Sequence, residues 1–304
     1  MKEALERMAM EKKVLSAVHA DLSSAARSVP LRVAPAPAST SKPGSPGKWL
    51  SRFVPPLIAF VLFIGGWELI VTLIGTPPYI LPKPSDIVRA AAENYRNLTV
   101  SVATTLMEAF LGFMLSIVLG VSGAILLAMS RIIEKSVYPY AIVLQTIPIV
   151  AVAPIIVIWF GAGMNAIVII AFLIGFFPML SNTLIGLNST DHNLKNLFFL
   201  YNASKFQTMW KLRLPAALPY MMAGLKISCT LAPIGAIVGE YIAGIGGGRG
   251  GLGYAVTVAA ARLQTPYLFA CGLAASLLGI GFYLVINRLS RLMLSSWHES
   301  EMKP

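Results

Sequence analysis

Charge is scarce in this chain. Asp, Glu, Lys and Arg make up 12% of its 304 residues, with 13 acidic side chains, 3 histidines and 2 cysteines, while hydrophobic residues make up 56% and the mean hydropathy is +0.73. So few ionisable groups cannot cover a soluble domain, and the composition points to a polytopic, all-α membrane protein. Cys229 and Cys271 lie inside apolar runs without ligand-like spacing, which argues against a disulfide framework and a cysteine metal site. His19, His192 and His298 are scattered and read as solvated. The net charge of +11 comes from Lys and Arg without interleaved aromatics, so anionic lipid headgroups explain it better than nucleic acid. No Gly-Lys-Ser/Thr loop occurs, and GIGGGRGGLG at Gly244 to Gly253 lacks the preceding strand of a phosphate cradle. That segment reads as a flexible outer loop.

What is abundant is apolar runs of membrane-crossing length, roughly 20 residues each. Six are expected, the first over Val54 to Gly75 and the second over Val100 to Met129. The third covers Val137 to Phe160 after a short loop Arg131 to Lys135, and the fourth Ala166 to Leu187. The fifth is Tyr220 to Gly239 and the sixth Tyr267 to Ile286, with a soft apolar helix from Leu252 to Arg262 between them. Ahead of them, residues 1–48 read as an amphipathic helix and a Pro/Ser-rich linker that stay in the cytoplasm; residues 49–98 hold the first span and an outer interfacial segment, residues 99–292 the core, and 293–304 a tail. In the second span Gly112, Ser116, Gly120, Ala124 and Ala128 recur at every fourth position, a stripe that lets another helix approach closely. The third span carries Pro139, Pro148 and Pro154, with Gln145 and Thr146 ahead of the middle one. Backbone freed from helical pairing at that depth survives only in protein or along a cavity, so this span is a candidate pathway lining. Asn182 and Thr183 in the fourth span either face the same pathway or bond neighbouring helices, and Ser228 in the fifth is a further pathway candidate. Among the carboxylates, Glu68 either pairs with a neighbouring helix or serves transport, Glu108 reads as solvated or ion-paired near the interface, and Glu240 as a cap or an outer gate.

One polar interruption, residues 190–219, stands apart. Leu194, Leu197, Phe198 and Tyr201 recur at helical spacing on a segment too short to cross lipid, so an apolar face is left seeking a partner. Asn202 tolerates a left-handed backbone and ends that helix, and after Ala203 the pair Ser204 and Gln207 reads as a capping box opening a second helix, expected to stop at Pro215 and Pro219.

This loop resembles the coupling loop of permease subunits of bacterial ABC importers, whose pattern is Glu-Ala-Ala, three residues, Gly, nine residues, Ile-x-Leu-Pro. Leu212, Leu214 and Pro215 fit the end of it; Asn196, Leu197 and Phe198 stand in place of Glu-Ala-Ala and Asn202 in place of Gly. QTIPIVAVAPIIVIWFG, Gln145 to Gly161, and YILPKP, Tyr79 to Pro84, are similar to the branch handling sulfonates, taurine, nitrate, bicarbonate and pyrimidine thiamine precursors. The resemblance implies a type I ABC importer permease fold in a bacterial inner membrane. It implies a homodimer, two cytoplasmic ATPase subunits that bind the ATP and Mg and dock on Leu194, Leu197, Phe198, Tyr201, Asn202, Ala203, Ser204 and Pro215, and an external solute-binding protein. The chain itself would then be no enzyme. A positive-inside count puts both termini and the loop in the cytoplasm, since Arg131, Lys135, Lys195, Lys205, Lys211 and Arg213 share one side while the other holds Lys83, Arg89, Arg96, Arg249 and Arg262. The competing class, an ion-coupled secondary transporter, calls for inverted repeats and mid-membrane carboxylates, and neither is evident.

Overall fold

The computed structural model describes residues 46–243 and 250–294. The expectations for residues 1–45, for the first half of the glycine-rich segment and for the end of the tail lie outside them. Two compact units are distinguished, 1–60 and 61–304. What is described of the first is the start of α1 (Pro46–Ile74), where Leu57, Ile58 and Phe60 are exposed. The second holds the rest of that helix and all the elements that follow, and every described element is helical.

Pro84 opens α2 (Pro84–Glu93), with Asp86 accepting the Lys83 backbone N–H at 3.4 Å. The preceding span reaches the same turn: Ser85 donates its hydroxyl to Glu68 Oε1 at 2.7 Å and its amide to Oε2 at 3.1 Å. Glu68 therefore serves as an anionic partner for a helix N-terminus. The second span is α3 (Tyr95–Met129), whose 35 residues extend about 52 Å and outreach a bilayer core of about 30 Å.

The third span is broken. It forms α4 (Arg131–Gln145), which takes in the residues expected as a loop, and α5 (Ile149–Phe160), bent 99° from each other at Thr146 to Pro148. Pro148 has no amide to donate and steers the residue before it away from helical geometry, so the chain turns there. Pro139 and Pro154 sit within helices and do not break them.

At the centre lies α6 (Met164–Asn188), packed along much of its length against α3 and against α9 (Leu214–Ala243). The small-residue stripe of α3 faces it. A Cβ added to Gly112 would lie 2.6 Å from that of Ala171, and one added to Gly235 would lie 2.7 Å from the Ala171 Cα, so the backbones meet at distances only glycine allows. Two buried hydroxyls bridge the same layer: Ser116 donates to the Phe172 carbonyl at 2.8 Å and Ser228 to the Gly175 carbonyl at 2.6 Å. Outside this trio, α10 (Leu252–Ala261) and α11 (Thr265–Leu294) pack on α3 and α9, with Phe113 and Phe282 meeting edge to face at 5.4 Å. Among the described residues, five helices are long and apolar enough to cross a membrane, and the bent pair, taken as one span, makes six.

Between α6 and α9 come α7 (His192–Leu200) and the short α8 (Lys205–Thr208). The second helix of this loop does not stop at Pro215 or Pro219. Residues Met209–Arg213 form a π-helical turn, and the chain continues through both prolines into α9, giving one helical run from Lys205 to Ala243. The wider turn shifts the hydrogen-bond register just ahead of Pro215, where a donor is missing.

Candidate functional site

The loop between α6 and α9 is built from short-range signals. Asp191 caps α7, its Oδ1 accepting the Asn193 and Leu194 amides at 2.6 and 3.2 Å. Asn202 takes the left-handed conformation, φ 51°, and its neighbour's amide closes on the Phe198 carbonyl at 3.0 Å, a helix stop for which Asn is suited. Ser204 and Gln207 then form a reciprocal capping box, at 3.2 and 2.9 Å, that opens α8. Of the four residues picked out by spacing, Leu194, Leu197 and Tyr201 are exposed and Phe198 is half-buried. The open patch is larger than those four: Phe199 is 80% and Leu200 76% exposed, beside Tyr201 at 80%; Phe206 and Trp210, also exposed, form a tilted ring pair at 5.8 Å. Pro215 is half-buried at the start of α9, away from the tip.

The loop is lashed to the spans through Arg213. Its Nε donates to the Leu187 carbonyl at 2.9 Å, Nη1 to the Ala128 carbonyl at 2.8 Å and Nη2 to Asn188 Oδ1 at 2.7 Å. One guanidinium thus satisfies carbonyls at the C-terminal ends of α3 and α6, where cations are favoured. Lys195 adds a bond from Nζ to the Asn188 carbonyl at 3.3 Å. Partial burial pushes the Lys195 ammonium below its ordinary range, and the positive Arg213 and Arg131 nearby push the same way against Asp191.

A second feature is a hollow of about 500 Å³ at the bend of the broken span. Gln145, Thr146 and Pro148 line it with Ile174 and Phe177 of α6 and Leu231 of α9. Thr146 turns its hydroxyl back on the Val143 carbonyl, which leaves Gln145 as the open polar group. The other polar residues singled out for a pathway do not line this hollow. Asn182 bonds the Pro178 carbonyl at 2.8 Å, Thr183 is fully buried, and Ser228 holds the α6 backbone.

Glu240 belongs to a third place, and the residues around it escaped the sequence analysis. Its Oε1 accepts the Thr105 hydroxyl at 2.6 Å and its Oε2 the Gly253 amide at 2.6 Å, while the Leu252 amide bonds Thr105 Oγ1 at 2.8 Å. The carboxylate caps α10 from inside the protein. A Cβ on Gly251 would collide with the Glu240 carboxyl, so this end of the glycine-rich segment is a carboxylate cradle and not a loose loop. Glu108, expected as solvated or ion-paired, is buried, its Oε2 makes no hydrogen bond, and no cation is bonded to it among the described residues. The Gly-Gly-Leu-Gly run at the start of α10 was the available signal.

Residues 112–295 match the family described as binding-protein-dependent transport system inner membrane component. The chain is 36% identical over 247 residues to the formylaminopyrimidine transport permease protein ThiX of Halalkalibacterium halodurans, covering 81% of this chain and 96% of that one. It is 32% identical to the riboflavin transport system permease protein RibX of Chloroflexus aurantiacus (80% and 90% covered) and 26% to the nitrate import permease protein NrtB of Leptolyngbya laminosa (65% and 74% covered). A match over more than half the chain, on a fold of packed apolar spans with a broken third one, shows its membership: the chain belongs to the binding-protein-dependent transport system inner membrane components and is a multi-pass permease of an ABC importer.

Proposed function

We propose that two copies of this chain form the pathway of the importer, that two ATPase subunits dock on α7 and α8 from the cytoplasm, and that an external binding protein delivers the solute. The observation that carries the docking role is the open patch of Phe199, Leu200 and Tyr201 at the end of α7, a helix outside the membrane-length spans. An ATPase groove would take that patch as a helix in a groove, with ATP and Mg bound in the ATPase. When nucleotide draws the ATPases together, α7 moves, and the Arg213 bonds carry that movement to the ends of α3 and α6. The hollow at the bend, with Gln145, Thr146 and Pro148, lies where such a shift would open or close a passage.

The cargo we favour is a small heteroaromatic compound of the pyrimidine type over an inorganic or sulfonate anion. The hollow has apolar walls, an amide and a hydroxyl, and among the described residues no cation lines it; an anion stripped of water there would lack a counter-charge. Two relatives above 30% identity are named for formylaminopyrimidine and riboflavin, both heteroaromatic.

The test is co-purification of the ATPase with the permease. Replacing Phe199 and Tyr201 together by Asp should reduce the captured ATPase at least about tenfold, since two desolvated aromatic anchors are worth roughly 2 kcal/mol or more each. Retained capture would overturn the docking assignment.

A further inference from the structure

We propose that the basic pocket beneath the docking loop binds the phosphate headgroup of an anionic phospholipid. The pocket, about 660 Å³, lies where the ends of α3 and α6 meet the starts of α4 and α8. Arg131, Lys135, Lys195, Lys205 and Arg213 line it against a single carboxylate, Glu134. Arg213 and Lys195 already hold backbone carbonyls, and Glu134 accepts the Asn188 amide at 2.7 Å. Arg131, Lys135 and Lys205 have no ion pair or side-chain hydrogen bond among the described residues, and all three are exposed. Like charges converging on one hollow repel one another unless an anion sits among them, and Lys195, lowered first by partial burial, is lowered further by Arg213 and Arg131. The start of α4 adds to it: Ser130, its N-cap, makes no side-chain cap bond, so the positive end of the helix opens beside Arg131.

The surroundings favour a lipid over a soluble anion. Met129 lines the pocket, and Leu126, Ile132 and Ile133, on the turns before and after Arg131, are all exposed. A headgroup in the hollow would lay its acyl chains along that apolar corner, whereas free phosphate would gain nothing from it. Basic pockets between membrane helices take headgroups in this way. The site goes beyond the transport reading and needs neither the ATPase nor the cargo assignment.

The experiment uses the full chain in neutral phosphatidylcholine, titrated with phosphatidylglycerol and followed by native mass spectrometry. One phosphatidylglycerol should be retained by the wild type, with affinity at least about tenfold above that of Arg131→Gln/Lys135→Gln/Lys205→Gln, since each cation near a headgroup contributes on the order of 1 kcal/mol. Should the triple variant fail to fold, Lys135→Gln/Lys205→Gln should still lose at least about fivefold by the same reckoning. The Leu200→Asp/Tyr201→Asp variant, which alters patch residues that do not line the pocket, should keep the lipid, which separates this site from the docking patch. Equal phosphatidylglycerol binding by wild type and variant overturns the proposal. So does displacement of the lipid by equimolar inorganic phosphate, which would make the ligand a soluble anion. Loss of ATPase capture with lipid binding unchanged also overturns it, by assigning the pocket to an acidic protein surface.

Discussion

The guanidinium of Arg213 holds three acceptors from the ends of two helices at once, and no other side chain could reach them with that fork. Arg213→Ala would leave the Leu187 and Ala128 carbonyls to find water and would remove roughly 3 kcal/mol of local tethering. If the loop drives the spans through this side chain, uptake into proteoliposomes should fall at least about tenfold while ATPase capture changes less than about twofold. Arg213→Lys should restore uptake only partly, because an ammonium cannot serve all three acceptors in that geometry. Parallel loss of capture and uptake would instead place Arg213 on the docking surface. The bonds of this residue also mark the limit of sequence reading. Asn202, Ser204 and Gln207 were legible because their partners lie within a turn, whereas the Arg213 acceptors Ala128 and Leu187 stand 85 and 26 positions away. Glu240 was hidden for the same reason, its hydroxyl donor Thr105 lying 135 positions off.

Among the elements, the broken span departs most from a simple crossing helix. Three prolines were visible in it, but which one breaks it was not, since a proline bends a helix sharply only where the freed carbonyls and the turn find other support. Here Thr146 bonds back to the Val143 carbonyl, and the chain turns 99° at Pro148. An interior proline costs a helix about 3 kcal/mol, so Pro148→Ala removes a penalty of that order from the straight form. A permease that uses the bend should then lose transport, by at least about tenfold, with its ATPase still attached. Pro139→Ala, within α4, should change transport less than about twofold, since no comparable bend depends on it. Equal effects of the two would show that the bend has no part in transport. The π-turn is the opposite case: Pro215 and Pro219 read as stops, yet the register shift over Met209–Arg213 lets the helix run through them.

For the molecule as a whole, the six-span architecture was readable because each apolar run declares itself without reference to the others, and the packing of α6 between α3 and α9 was foreshadowed by the small-residue stripe. Its direction across the membrane is a matter of charge. Arg131, Lys135, Lys195, Lys205, Lys211 and Arg213 gather on the connections at one end of the spans, while Lys83, Arg89, Arg96 and Arg262 are spread over the other. Such an excess in short loops is retained on the cytoplasmic side during insertion. Cys229 and Cys271 are buried, so Cys229→Ala/Cys271→Ala gives a background for placing single thiols at exposed sites. A maleimide that cannot cross the membrane, added to intact cells, should label Gln264→Cys between α10 and α11. It should reach Tyr201→Cys only after the cells are permeabilised. The reverse pattern would point the aromatic patch away from the compartment that supplies nucleotide, and the docking role of α7 would fall even if every contact within the chain were as described.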